Sequence, residues 1–251
     1  MILLSYSFLP FVNFQEQSLS LSLLGANFIL RIGFPRIISF MVSILAAVGM
    51  EWMLRNHPSW GKHRSFQHWF MPAMTAWVIG FPLSSLAVGF QWWIIFSLGG
   101  VLLILVFLAE YFVYDFADIL SPPAILSLTA ISFALFLFFT ISIRAGGFRL
   151  YLLVPSLWVI AGLVVVRAIF LRLGGKWRLD WMAAIATFVS QIAVGLHYWQ
   201  ISPLRYGLVL LGPVYALTSL AGGIEEGRGW KNSWTEPVIM LVLIWGLAFF
   251  V

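Results

Sequence analysis

Cysteine is absent from this chain of 251 residues, and charged side chains are scarce. Without cysteine there can be no disulfide, no Cys-ligated zinc and no iron–sulfur cluster. Only 9% of the residues are charged, whereas an ordinary globular domain has about 25%. So few charges cannot cover the surface of a water-soluble fold of this size. We therefore expect lipid to be the solvent for most of the chain.

Long apolar runs take the place of the missing charges. The sequence is 62% hydrophobic, with a mean hydropathy of +0.99. A bilayer core about 30 Å thick needs roughly 20 apolar residues in helical form, and lipid leaves only helices or closed barrels as spanning structures. The runs here are continuous and do not alternate between apolar and polar residues, which favours helices over a barrel. The sequence predicts an all-α, polytopic transmembrane helical bundle without a large soluble domain.

The clearest span lies in the stretch from Trp92 to Asp118, which has no charge until Glu110. Placing the other apolar runs relative to it predicts about eight spans, or seven if a short one is re-entrant. Residues 1–35 have no basic region ahead of the first apolar run and no cleavage site of a signal peptide. We expect an N-terminal tail or interfacial helix there, followed by the bundle over residues 36–251. The predicted spans cover about 36–54, 69–90, 92–109, 124–143, 150–173, 181–199, 206–222 and 238–251.

The basic residues indicate an orientation, because cytoplasmic loops are enriched in lysine and arginine. Nine basic residues lie on the loop side that contains Arg55 and Arg228, and five on the side of Arg144 and Arg205. This difference predicts a multi-pass membrane protein with both termini on the extracytoplasmic side. The scattered basic residues do not form the cluster typical of nucleic-acid binding, so no nucleic-acid partner is expected.

Three charged residues fall inside predicted spans: Glu51, Glu110 and Arg167. A charge in the membrane is costly, and a shared cluster would offset that cost. All three lie near the predicted cytoplasmic side on spans of the same direction, so they could meet. A proton relay, an ion or headgroup site, and a helix-locking pair with a snorkelling arginine all fit this pattern. We expect Arg167→Leu to destabilise the fold and Glu110→Gln or Glu51→Gln to rescue it in part.

Other polar residues give weaker signals of a site. Asp115 and Asp118 lie three residues apart and would share one helical face, where they could hold Mg²⁺ for a diphosphate substrate. No second acidic motif follows them, so a solvated helix end is the favoured interpretation and no metal site is predicted. His57, His63 and His68 have spacings that do not match one helical face, and we expect them in a loop near headgroups. Gln191 and His197 are expected to form interhelical hydrogen bonds.

Several short motifs resemble an uncharacterised family of bacterial polytopic membrane proteins. The resemblance covers the chain from about Glu51 to the C-terminus and implies no known reaction, cofactor or catalytic residue. The motifs are Glu110-Tyr111, Arg167 with Leu171-Arg172-Leu173-Gly174-Gly175, His197-Tyr198-Trp199, and Ser202-Pro203 followed by Gly207-Leu208.

Function is predicted only as a class. No nucleophile elbow, HExxH or phosphate-binding loop occurs, and all three lysines lie in loops, which excludes a retinal Schiff base. The many aromatic residues favour a non-enzymatic role: an accessory or scaffold subunit with other membrane proteins, or a binder of lipid or an apolar cofactor. A small-solute or ion transporter is the alternative. Transporters often have helix breaks at matching positions in two halves of the chain, and the prolines of this sequence do not fall at such positions. A prenyltransferase-like enzyme using Asp115 and Asp118 is the third possibility.

Overall fold

The structure is a computed structural model that describes most of the chain. Its elements comprise a very short helix, a two-stranded hairpin and eight long helices. The described residues are 4–7, 17–23, 26–32, 34–58, 60–61, 66–116, 119–229 and 233–251. The elements in chain order are α1 (Leu4–Ser7), β1 (Gln17–Leu23), β2 (Ala26–Ile32), α2 (Phe34–Arg55), α3 (Phe66–Ser85), α4 (Phe90–Val113), α5 (Ser121–Ala145), α6 (Leu150–Arg172), α7 (Leu179–His197), α8 (Pro203–Glu225) and α9 (Thr235–Phe250).

The eight long helices follow the eight apolar stretches of the sequence, each within a few residues of its expected bounds. The all-α polytopic fold is thereby confirmed. Among the described residues, six of these helices are long and apolar enough to cross a membrane. The other two are α3, which contains Pro72 and Pro82, and α9, which has 16 residues.

The N-terminal segment contains a feature that the sequence did not lead us to expect. β1 and β2 pair in antiparallel fashion, from Gln17 opposite Ile32 to Leu23 opposite Ala26. The sequence predicts a tail or an interfacial helix over residues 1–35. The alternation of Ser and Leu in β1 has the period of two that is typical of a strand, and that signal could have predicted the hairpin.

The chain divides into two compact units, of which the first is Met1–Ala124. In this unit α2 packs against α3, and α3 against α4. The buried side chains of Val42, Ala46, Ile79 and Leu103 belong to its core. A Cβ on Gly99 of α4 would lie 2.7 Å from a methyl carbon of Ile79. The glycine at position 99 therefore allows α4 to approach α3 closely near Ile79.

The second unit is Ile125–Val251, and α8 is its most deeply buried helix. Glycine again permits close packing, since a Cβ on Gly207 would lie 2.9 Å from the Leu137 side chain of α5. At one end of the unit, Arg144 donates hydrogen bonds to the carbonyls of His197 (3.0 Å) and Trp199 (2.8 Å). Arg144 therefore ties the end of α5 to the end of α7 and satisfies carbonyls that the helix leaves free.

Candidate functional sites

The most deeply buried ionisable pair in the described part of the first unit joins α3 to α4. His68 Nδ1 lies 2.6 Å from Glu110 Oε2, and the two side chains are 1% and 0% exposed. Gln67 Nε2 lies 3.3 Å from the other ring nitrogen, His68 Nε2. If that amide donates, Nε2 accepts and the hydrogen on Nδ1 points at Glu110. The carboxylate thus has a specific partner, which offsets much of the cost of burying it.

Aromatic rings surround this pair, which we call the His68–Glu110 pair. The His68 ring lies 5.4 Å from the ring of Tyr114, which is 1% exposed. His57 packs edge-on against both Tyr111, at 4.6 Å, and Tyr114, at 5.0 Å between ring centroids. The aromatic rings limit water around the pair and place a second imidazole, that of His57, beside the same tyrosine.

Glu51 lies at the same end of the first unit with contacts of its own. Its Oε2 accepts a hydrogen bond of 2.8 Å from the Trp69 indole, and its Oε1 lies 3.5 Å from Arg55. Its side chain is 18% exposed, whereas that of Glu110 is fully buried. Since Trp69 follows His68 in α3, neighbouring residues of one helix contact the two glutamates.

The histidines correct one expectation and leave another untested. His68 lies in the first turn of α3 and is buried, so the expectation of a loop position near headgroups was wrong for this residue. His57 does lie in the loop after α2 but is only 8% exposed. His63 lies outside the described residues. No local sequence signal pairs His68 with Glu110, because they are 42 residues apart.

The predicted cluster of Glu51, Glu110 and Arg167 stays a prediction. The two glutamates belong to the first unit and the arginine to the second. Arg167 is 4% exposed, and its guanidinium carbon lies 5.4 Å from the centroid of the Phe170 ring. The Arg167 guanidinium therefore makes a cation–π contact with the Phe170 ring in an apolar part of α6.

The remaining predicted site residues are found in different surroundings, and one of them cannot be placed. Asp115 lies in the turn after α4 rather than on a helical face, because α4 ends at Val113. Asp118 lies outside the described residues. Gln191 and His197 were the predicted interhelical hydrogen bonders. Gln191 is exposed on α7, and no hydrogen bond of its side chain is found among the described residues. The Nδ1 atom of His197 is buried without a hydrogen-bond partner. In the described part of the chain, no three His, Asp or Glu side chains gather as metal ligands would.

A charged network that the sequence analysis missed occupies one end of the second unit. Arg172 at the end of α6 forms a two-point contact with Glu226, Nε to Oε1 at 2.6 Å and Nη2 to Oε2 at 3.2 Å. Its Nη1 also donates to the Ser219 carbonyl at 3.0 Å. A Cβ on Gly222 would lie 2.5 Å from the Arg172 side chain, so glycine leaves room for the guanidinium to reach α8. The network therefore locks α6 to α8.

Two further carboxylates extend this network. Glu225 accepts from Arg178 at 2.6 Å and from the Trp181 indole at 2.9 Å. Glu236 of α9 accepts from Ser219 and Tyr215 of α8, at 3.1 and 3.2 Å. Each of the helices α6 to α9, or the turn beside it, thus supplies a member of the network at this end of the unit.

The Arg172–Glu226 contact predicts a pH dependence of stability. The hydrogen bond from Arg172 lowers the pKa of the Glu226 carboxyl, with the positive charges of Arg172 and Arg228 acting in the same direction and burial opposing them. A lowered folded-state pKa gives stability that is present above the ordinary glutamate value of about 4.3 and is lost as the pH falls through the folded-state pKa. We expect the melting temperature to fall over that acid range in the wild type and to fall less in Glu226→Gln. Identical pH profiles would contradict this.

An apolar groove lies between α7, α8 and α9 of the second unit. Its volume is about 260 Å³, and no charged side chain lines it. Phe188, Val238 and Trp245 at its edges are 40–49% exposed, so the groove opens on the outer surface of these helices. We call it the α7–α9 groove. Its lining residues are Phe188, Ile192, Pro213, Ala216, Leu217, Leu220, Trp234, Pro237, Val238, Leu241 and Trp245.

Comparison with known families places the chain in one of them. The model of a family described as a protein of unknown function (DUF5656) matches residues 14–251. The chain belongs to the DUF5656 family. No curated protein and no solved structure matches it significantly. The resemblance to an uncharacterised family is thereby confirmed, and the DUF5656 match extends over the hairpin as well as all eight long helices.

The short motifs of this DUF5656 protein lie at points where helices meet. Glu110 contacts His68 of α3, and Arg172 contacts α8 through Ser219 and Glu226. The carbonyls of His197 and Trp199 accept from Arg144. Ser202 caps α8 by accepting from the Arg205 backbone at 3.3 Å. Three of these contacts therefore join one helix to another, whereas that of Ser202 lies within α8.

Proposed function

We propose that this DUF5656 protein is a non-enzymatic membrane protein that binds the acyl chain of a lipid, or an apolar cofactor of similar shape. The observation that carries the proposal is the α7–α9 groove, which is apolar throughout and opens on the outer surface of apolar helices. Binding sites for small ligands are typically concave and lined mainly by apolar and aromatic side chains. Two tryptophans and one phenylalanine at the groove supply flat surfaces of that kind.

The length of the groove supports a chain-like ligand. Its lining on α8 extends from Pro213 to Leu220, and on α9 and the residue before it from Trp234 to Trp245. At 1.5 Å per residue these intervals correspond to about 10 and 16 Å. One leaflet of the hydrocarbon core is about 15 Å thick, half of the total. An extended acyl chain of one leaflet therefore matches the groove in length and chemistry.

Filling the groove tests this proposal. Ala216 lines it, and we expect Ala216→Trp to remove a lipid or apolar molecule that the wild type retains in native mass spectrometry after mild extraction. Ala184→Trp is the matched control, since Ala184 is exposed on α7 outside the groove. It should leave the bound mass unchanged. Retention of the same mass by both variants would overturn the proposal, and a stoichiometric protein partner in place of a lipid would favour a scaffold subunit.

The proposed orientation puts the Arg172 network in the cytoplasm and both termini outside, in the cytoplasmic membrane of a bacterium. Its support is the excess of basic residues on that side of the chain. A reporter fused after Val251 should therefore be extracytoplasmic, and one inserted at Gly227, in the turn after α8, should be cytoplasmic. Accessibility to an impermeant label in intact cells measures both. The opposite pair of results would invert the orientation.

A further inference from the structure

A tryptophan closes the end of the α7–α9 groove that lies farther from the Arg172 network. Trp245 is the lining residue of α9 nearest its C-terminus, and its indole nitrogen donates a hydrogen bond of 3.2 Å to the carbonyl of Val209 in α8. A Cβ on Gly212 would lie 2.9 Å from that nitrogen, so the glycine leaves room for the indole against α8. Val209 and Gly212 both precede Pro213, where the lining of α8 begins. The indole therefore reaches from α9 to α8 across this end of the groove.

Proline explains why the Val209 carbonyl accepts this hydrogen bond. In an α-helix the carbonyl of residue 209 would accept from the N–H of residue 213, four positions further on. Pro213 has no N–H, so this carbonyl needs another donor, and the Trp245 indole supplies one. The bond fixes the position of the indole and uses its N–H. An apolar ring face is what remains for a ligand at this end.

The opposite end of the groove is polar. Ser219, a member of the Arg172 network, precedes the lining residue Leu220 in α8. Glu236, another member, precedes the lining residue Pro237 in α9 and accepts from Ser219 at 3.1 Å. The lining residues of α8 occupy the half of that helix nearer the network. Because a polar group in apolar surroundings loses its hydrogen bonds to water, the polar part of a lipid belongs at the network end.

We propose that the groove holds one acyl chain of a lipid from the leaflet on the network side, with the carbonyl end of the chain beside the network and its methyl end against Trp245. Trp245 then sets the longest chain that fits, and Pro213 is a positioning residue that fixes the indole. The groove from Trp234 to Trp245 spans about 16 Å. A longer chain has to turn out past the indole and loses contact with the groove wall. The inference rests on the proposed binding of lipid in the groove and adds the direction and length of the bound chain.

The lengths of the retained chains test this inference. The full-length protein in a mild detergent is given equal amounts of dilauroyl, dimyristoyl, dipalmitoyl and distearoyl phosphatidylcholine, and native mass spectrometry measures which of them it retains. We expect the wild type to retain the shorter chains in preference to distearoyl, and Trp245→Ala to shift the retained lipid toward longer chains.

Trp158→Ala is the matched control for Trp245→Ala. Trp158 of α6 and Trp245 are 37% and 40% exposed, and each indole donates to a neighbouring helix, that of Trp158 to Thr187 of α7 at 3.1 Å. Trp158 does not line the groove, so its substitution should leave the wild-type distribution of chains unchanged. The same shift in both variants would contradict the role of Trp245.

Two results separate this inference from the proposed function. Equal chain lengths in the wild type and Trp245→Ala, with the lipid still removed by Ala216→Trp, would overturn the inference and leave the groove a lipid site. Retention of no lipid by the wild type would overturn both. Pro213→Ala restores an N–H that competes with the indole for the Val209 carbonyl, so it should shift the chains in the same direction, and it provides the test if Trp245→Ala fails to fold. An unchanged distribution in Pro213→Ala would contradict its positioning role.

Discussion

Replacing His68 by leucine should destabilise this protein by about 3–5 kcal/mol, the cost of removing one partner of a buried ionisable pair. The Glu110 side chain is 0% exposed and would lose its contact with Nδ1. Leucine can fill part of the space left by imidazole, but it cannot donate a hydrogen bond. The free energy of unfolding by sodium dodecyl sulfate in mixed micelles is the measurement.

The double variant His68→Leu with Glu110→Leu is the control for that result. Replacing both members of a buried pair by apolar residues is often neutral or stabilising, so most of the stability should return. His57→Leu controls for loss of an imidazole from the same aromatic surroundings, since His57 contacts Tyr111 and Tyr114 but lies in the loop. Equal losses in His68→Leu and in the double variant would show that the pair itself contributes nothing.

Removal of Arg172 should have the next largest effect. Arg172→Met keeps most of the aliphatic stem but abolishes the two-point contact with Glu226 and the bond to the Ser219 carbonyl. Hydrogen bonds to charged groups contribute about 1.5–3 kcal/mol. Both side chains are about one quarter exposed, which places the expected loss near the lower end, at about 2 kcal/mol.

Arg178→Met offers a matched control because it removes the same group from the same end of the unit. Arg178 is 40% exposed and pairs with Glu225 and with Asp180, which is 62% exposed. Exposed ion pairs contribute between about 0 and 1 kcal/mol. The free energy of unfolding, measured in mixed micelles as for His68→Leu, should therefore decrease less in Arg178→Met than in Arg172→Met. The reverse order would mean that the Arg172 contact does not lock α6 to α8.

The start of α9 differs from what its local sequence favours, for a reason that the network explains. Ser233 followed by Glu236 is a pattern that predicts an N-cap of the last helix. In the structure the Ser233 hydroxyl donates instead to the carbonyls of Arg228 and Gly229. Glu236 accepts from Tyr215 and Ser219 of α8. A tertiary contact has taken the place of the local one, and it fixes α9 against α8.

The sequence alone determined that the chain forms eight long apolar helices of the kind found in membrane proteins, and where these begin and end to within a few residues, but it did not predict the hairpin. Those properties depend on apolar runs and on breaks between them, which are local in the chain. In the first unit, only the tertiary structure decided that Glu110 contacts His68. In the second, it decided that Arg172 joins Glu226 and that three helices leave an apolar groove. Such pairings join residues 42 and 54 positions apart, and they follow from how helix faces pack, which no local pattern specifies.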